Sequence, residues 1–312
     1  MTPAPPSSAV AAPRRSATAE RRRARAREVW TEFLDTRSGP IGAVLLLVVI
    51  TLALLAPVLA PAETLDVTQL TANGNEPPSA FHWLGTDPSG RDIVTMLLWG
   101  SRASLLVGFA ATTMSMVIGT TVGMMAGHFT GLTRAVLLRV VDFFLVIPSL
   151  VLAIVLSSVL TRGLWTIVIA IGLTSWASTA RVVRSQTLTI EARPYIERSL
   201  ALGAGHRHIL GTHVLPAVMP LVLANTTLTV GSAIIAESTL SFLGLGEPSV
   251  VSWGSMLKSA LDTGAATAGY WWFVLPPGLA IVLVVLCFTL VGRALEAVLN
   301  PTLRTVRTGG GR

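Results

Sequence analysis

Long stretches without a charged residue alternate with short polar connections along this chain. The charge-free runs are Ile41 to Ala60 (20 residues), Ala103 to Gly127 (25), Phe143 to Thr161 (19), Gly163 to Ala180 (18), Val214 to Ala236 (23) and Thr263 to Gly292 (30). A helix needs about 20 apolar residues to cross the hydrocarbon of a bilayer. The pattern therefore predicts six spans and an all-α, polytopic membrane protein. Pro57, Pro148, Pro220 and Pro276 fall inside these runs or at their ends. Membrane helices tolerate such prolines because neighbouring helices and waters satisfy the freed carbonyls. The predicted organisation is a tail over 1–38, a first span over 39–62 and an outer loop over 63–100. A five-helix core over 101–299, including a polar loop at 190–216, and a second tail over 300–312 complete it.

Composition agrees with this reading. The 312 residues are 52% hydrophobic and 12% charged, with a mean hydropathy of +0.67. A soluble domain carries about 25% charged residues. The net charge of +7 raises nucleic acid as a partner, but the placement of the arginines excludes it in favour of membrane orientation. With six spans, nineteen of the 23 basic residues fall on the side of the N-terminus and four on the other. Basic residues concentrate in cytoplasmic loops, so both termini are expected inside. "RRRARAR", Arg21 to Arg27, lies in a tail whose composition predicts disorder and contact with anionic lipid headgroups. The run from Ile41 exceeds the usual signal-peptide core of about 7–15 residues, so a retained helix is expected, although "LAPA" at 59–62 keeps cleavage open. Cys287 is the sole cysteine, which excludes a disulfide within the chain and predicts a buried free thiol.

One polar segment stands out between the fourth and fifth runs: "EARPYIERSLALGAGHRHILGTHVLP", Glu191 to Pro216. Orientation places it in the cytoplasm. Pro194 suits the first turn of a short helix, where its missing N–H costs nothing. Glu191 and Glu197 suit the positive end of that helix. The helix is expected to run through Leu202. Gly203 and Gly205 then permit a bend or a left-handed backbone. Two sets recur every seven residues, Tyr195–Leu202–Ile209 and Ser199–His206–His213, and the glycines argue against a continuous stripe. Two readings fit: an interfacial helix lying on lipid, or a knob gripped by another protein.

The residues "YIERSLALGAGHRHILGTHVLP" resemble the cytoplasmic EAA loop of ABC importer permeases, matching at Glu197, Gly203, Leu215 and Pro216. Arg198 and Ser199 stand where that family has alanines, and His213 where it has an aliphatic residue. "HWLGTDPSGRDIVTMLLWGSRASLLVG", "RVVDFFLVIPSL" and "ESTLSFLGLGEPSVVSWGSML" are similar to segments of the dipeptide/oligopeptide/nickel permease family, particularly its C-type subunit. The resemblance spans roughly residues 80 to 300. It implies a permease in a bacterial plasma membrane that pairs with a homologous second permease. It also implies two cytosolic ATPases binding ATP and Mg, and an extracellular substrate-binding lipoprotein. Tyr195, Glu197, Arg198, Ser199, Leu202, Gly203, Ala204, Leu215 and Pro216 would then form the loop on which an ATPase docks. No cofactor and no metal are expected on this chain, nor is it expected to be an enzyme. A phosphate-binding loop needs a lysine after its glycine turn. The sole lysine, Lys258, follows Leu257 and lies on the outer side.

Other positions carry local expectations. "LGTDPSGRD", Leu84 to Asp92, is strong turn chemistry, and Arg91 is expected to pair with Asp87 or Asp92. The turn around Asp87, Gly90, Arg91 and Asp92 either sets the start of span two or meets the binding protein. Glu237 is either a structural carboxylate bonded to nearby hydroxyls or backbone, or part of a translocation path. Asp142 is expected to pair with Arg139. His206, His208 and His213 lack the spacing and extra ligands of a zinc site. Gly-, Ala- and Ser-rich stretches are expected to allow close helix contact. A self-sufficient secondary transporter would need coupling carboxylates near the midplane, and a membrane enzyme a nucleophile or metal set. Neither is evident in the sequence.

Overall fold

Apolar sequence becomes helix wherever lipid offers the backbone no other partner. The computed structural model describes residues 30–36, 38–66 and 73–299. The arginine-rich segment and the C-terminal tail lie outside the described residues. Helix α1 covers 30–35, α2 Ser38–Leu59, α3 Ile93–His128, α4 Gly131–Val146 and α5 Ser149–Val159. Then come α6 Leu164–Glu191, α7 Pro194–Ala201, α8 His206–Phe242, α9 Trp253–Asp262 and α10 Trp271–Leu299. Among the described residues α2, α3, α6, α8 and α10 are each long and apolar enough to cross a membrane.

The third apolar run is not one straight helix. α4 and α5 meet at a bend of 88°. Pro148 causes it: its ring disfavours helical geometry at the preceding residue, and Ile147 sits at φ −83°, ψ 128°. Packing shows how often the chain crosses. α3 and α6 run parallel, because Gly119 meets Trp176 and Thr179, Gly123 meets Ala180 and Val183, and Gly127 meets Thr187. Two consecutive long helices can be parallel only if the chain between them returns across the bundle, so α4 and α5 together form one broken crossing. α2 and α10 are antiparallel, with Gly39 against Ala294 and Gly42 against Leu290. Six crossings result, and the start of α2 and the end of α10 share one side. α1 belongs there too, since Phe33 packs on Ala294 and Val298.

Close approach of α3 and α6 depends on glycine. A Cβ at Gly123 would stand 2.5 Å from the Ala180 carbonyl, and one at Gly119 2.7 Å from that of Trp176. Small residues replace a hydrophobic drive between helices in lipid, where only packing and polar contacts remain. Outward faces stay greasy: Leu47, Leu54 and Val58 of α2 are 64%, 72% and 78% exposed.

Several helices outrun their apolar runs. α3 begins at Ile93 rather than near Ala103, and with 36 residues it is about 54 Å long, well beyond a ~30 Å core. α6 continues past Ala180 to Glu191. The last run loses its first residues to a turn, and α10 starts at Trp271. Asp142 bonds Arg181 at 3.3 Å rather than Arg139. Both side chains are more than half exposed, so the pair adds little stability.

Candidate functional site

The polar segment folds as a hairpin of two helical arms at the shared end of α3 and α6. Pro194 opens α7 at its first turn and Glu197 follows in that turn. The helix closes by a complete glycine stop. Gly203 N–H donates to the Leu200 carbonyl at 2.9 Å and Ala204 N–H to that of Ser199 at 3.1 Å. This Schellman arrangement needs a left-handed residue after the cap, and Gly203 has φ +85°. Gly205 differs: at φ −77° it begins α8 as an ordinary extended residue.

The second arm is continuous with the fifth crossing. The chain passes from His206–His208 through a π-helical segment, Ile209–Val214, into regular α-helix from Leu215. Pro216 accounts for the widening. It lacks an N–H, and its ring would clash with the carbonyl four residues back. A π-segment is one way for a helix to absorb such a mismatch. Leu215 and Pro216 are therefore a joint inside one helix rather than the end of a loop.

Two isoleucines hold the hairpin to the bundle. Ile196 of α7 and Ile209 of α8 are buried with Met116 of α3, Val183 and Ile190 of α6, and Val214, Val218 and Val222 of α8. Tyr195, Leu200 and Leu202 are 43%, 50% and 83% exposed, and Glu197 and Arg198 also face outward. The arms touch each other through Ser199 Oγ and His213 Nε2, 3.5 Å apart, and through the rings of Tyr195 and His213.

A polar cluster ties the same region together. His128 ends α3; its Nδ1 bonds Glu191 Oε1 at the end of α6, and its Nε2 lies 2.8 Å from His206 Nδ1. Phe129 packs against both imidazoles. Glu191 thus pairs with a histidine of another crossing instead of serving the start of α7, because it is the last residue of α6 and points back toward α3. Three segments that begin or end here are clamped by two side-chain contacts. The loop histidines divide between partners: His206 meets His128, while His208 packs on His213. Among the described residues no group of three His, Cys, Asp or Glu has the geometry of a metal site.

At the opposite end, Asp87 is fully buried. Its carboxylate accepts from the backbone N–H of Ser89 (2.9 Å) and Arg91 (2.8 Å) and from Arg91 Nε (2.7 Å) and Nη2 (2.6 Å). Gly90, at φ +83°, lets the chain double back within this turn. Asp92 has a separate task. One carboxylate oxygen caps α3 by accepting from Thr95 N–H at 2.9 Å, and the other meets His82. Arg91 pairs with Asp87, and Asp92 fixes where α3 starts.

Glu237 lies deep between α3 and α8, 2% exposed. Ser104 and Ser241 each donate to it at 2.8 Å, and Ser238 approaches at 3.3 Å. It borders a small pocket with Ser252 and Ser255. Thus α7, Gly203 and the Leu215–Pro216 joint gather at one end, whereas Glu237 and the Asp87 turn belong to the other half of the molecule. Ile196 and His128 were not among the residues singled out from sequence, and Ile209 figured only in a seven-residue recurrence. For the isoleucines the usable signal was their apolarity in a polar loop. For His128 there was none, since its partners are 63 and 78 positions away.

Comparison with known proteins supplies what geometry alone does not. Residues 119–305 match the family model described as the binding-protein-dependent transport system inner membrane component. Residues 25–78 match the N-terminal transmembrane domain of oligopeptide transport permease C. The oligopeptide transport system permease protein OppC of Bacillus subtilis is 35% identical over 279 residues, 89% of this chain and 90% of that protein. The dipeptide permease DppC of the same organism is 36% identical over 278 residues, covering 89% and 86%. The glutathione transport permease GsiD of Pectobacterium atrosepticum is 35% identical over 283 residues, covering 89% and 92%. In structure, a chain of the MetNI methionine ABC transporter in an inward facing form superposes with a TM-score of 0.53 at 22% identity. The match covers 65% of this chain and 96% of that one.

Proposed function

Because the chain belongs to the binding-protein-dependent inner membrane permeases, as a C-type peptide permease of an ABC importer, we propose that its α7–α8 hairpin is the lever through which separate ATPases drive the uptake of peptides. A related small solute, such as a nickel chelate, is the nearest variant of this cargo. The supporting observation is the build of the hairpin. Its outer face is exposed and mixed in polarity, its inner face is pinned by Ile196 and Ile209, and its second arm is the fifth crossing itself. A push on α7 therefore reaches the membrane through a helix, without a slack linker.

In this reading Glu197, Arg198, Tyr195, Leu202 and Ala204 meet the ATPase, and Gly203 fixes the angle between the arms. A homologous second permease completes the path, two cytosolic ATPases hold ATP and Mg, and an extracellular lipoprotein delivers cargo across a bacterial plasma membrane. Both ends of this chain face the cytosol. Glu237 and Asp87 are structural posts of the outer half. The test is ATP-driven peptide uptake in liposomes holding the assembled importer. Glu197→Arg and Gly203→Pro should abolish uptake while the permease still reaches the membrane. Normal uptake in both variants, or uptake that survives deletion of the ATPases, refutes the lever.

A further inference from the structure

The break at Pro148 opens a cavity of about 350 Å³ between α3, α4, α5, α6 and α8. Ala153 of α5, Ile171 of α6 and Ala233 of α8 pack around its outer flank, and Phe144 packs on Trp176 at its inner flank. The cavity therefore sits near the middle of the crossing. Among the described residues, its lining includes no ionisable side chain. Hydroxyls stand in their place: Ser175 and Ser178 of α6 and Ser232 of α8.

Two further hydroxyls in the lining are unusual. Thr112 and Ser115 of α3 are each 1% exposed, and neither oxygen has a hydrogen-bond partner. A buried hydroxyl without a partner is costly in a protein interior. Most hydroxyls in these helices avoid that cost by bonding a carbonyl one turn back, as Thr174 does to Ala170 at 2.8 Å. Thr112 and Ser115 do not.

Independently, α5 begins at the same cavity, with Ile147, Pro148 and Ser149 in the lining. Its N-terminus has no side-chain cap. The first backbone bond runs from Leu152 N–H to the Pro148 carbonyl, which leaves the N–H groups of the first turn without helical partners. A helix start of this kind carries partial positive charge. Inside a membrane, the start of a broken helix is suited to an anionic group of a transported solute.

We propose that this cavity is a carboxylate site on the transport path: the start of α5 faces the C-terminal carboxylate of the passing peptide, and Thr112 and Ser115 donate to it. The identity of the cargo rests on the reading above. The site itself rests on the orphaned hydroxyls and the uncapped helix. With dipoles in place of fixed charges, it would offset the terminal negative charge that all free peptides share and hold it weakly enough to let go. It would also be indifferent to the charge of the side chains.

The experiment uses the assembled importer in liposomes, with trialanine and trialanine amide as probes. A double variant, Thr112→Val with Ser115→Ala, should lower trialanine uptake by about tenfold at unchanged affinity for the binding protein. Uptake of the amide should stay as it is in the wild type. Its unfolding temperature should hold or rise, because the deleted hydroxyls have no partner to lose. Trialanine uptake at the wild-type rate overturns the proposal. A second measurement is independent of cargo. Cys287, the sole native cysteine, is buried, so a Ser178→Cys variant has one accessible thiol. A sulfonate-bearing methanethiosulfonate should modify it about tenfold faster than a trimethylammonium analogue, relative to the same ratio at Ala266→Cys, an exposed position in the turn before α10. Equal ratios overturn the site. If the wild-type importer takes up neither probe, the peptide reading falls and the reagent ratio still decides the site. The ratio decides as well if the double variant does not assemble.

Discussion

Glycine is used in opposite ways at two places in this molecule. At the end that holds Asp87, Gly254 and Gly85 are there because nothing larger fits. A Cβ at Gly254 would stand 2.4 Å from the Ser238 carbonyl, and one at Gly85 2.4 Å from that of Glu76. At the inner hairpin, Gly203, Gly205 and Gly211 have no atom within 4 Å of a built Cβ. Polar chemistry divides in the same way. Asp87 is fully buried and fully bonded, whereas the hairpin faces outward and is held by two isoleucines and one histidine clamp. The outer end is built to keep one geometry. The hairpin has its conformation set by the backbone instead of by crowding, which suits the lever proposed above.

Mutations can break or sharpen this contrast. The largest effect is expected from Asp87→Ala, which leaves Arg91 and two N–H groups without their acceptor. Breaking a buried pair in this way costs about 3–5 kcal/mol, read as a drop in the unfolding temperature of the purified permease. His128→Ala should come next. Losing a hydrogen bond to a charged group costs about 1.5–3 kcal/mol. Here the loss should show mainly as ATP hydrolysis that continues while uptake falls, because the clamp joins α3 and α6 to the second arm. Gly254→Ala should cost about 1–3 kcal/mol through overpacking, with lower yield of folded protein and no specific change in coupling.

Smaller effects are expected in the hairpin. Gly203→Ala places a Cβ at φ +85°, which costs roughly 1–2 kcal/mol of local conformational energy. Global unfolding should barely change, while the stimulation of the ATPases by the permease should weaken. Gly211→Ala should lie within about 0.5 kcal/mol of the wild type. If Gly211→Ala proved as damaging as Gly254→Ala, the two ends would not differ as described.

Much of this was legible in the chain, and the reasons are local. Lipid allows a backbone few choices, so charge-free runs of sufficient length announced the crossings. Pro194 and Gly203 acted within a few residues of themselves, so the short helix α7 and its stop could be anticipated, whereas the π-helical joint before Pro216 could not. Pro148 was visible as well, but its consequence was not. A proline announces a break without fixing its angle, and the 88° bend exists because α5 must pack against α6 and α8.

What only the tertiary structure decided joins residues far apart in the chain. Ser104 reaches Glu237 across 133 positions, and His128 reaches Glu191 and His206 across 63 and 78. Hydroxyls and histidines are common and carry no address, so no pattern in the sequence pairs them. The same holds for Thr112 and Ser115, which look like any small residues on a membrane helix until the broken crossing beside them leaves a cavity. The sequence by itself determined which segments enter the membrane, because transfer into hydrocarbon is a property of each segment alone. Parallel packing of α3 and α6 decided the rest, since which polar groups meet depends on where two separately stable helices come into contact.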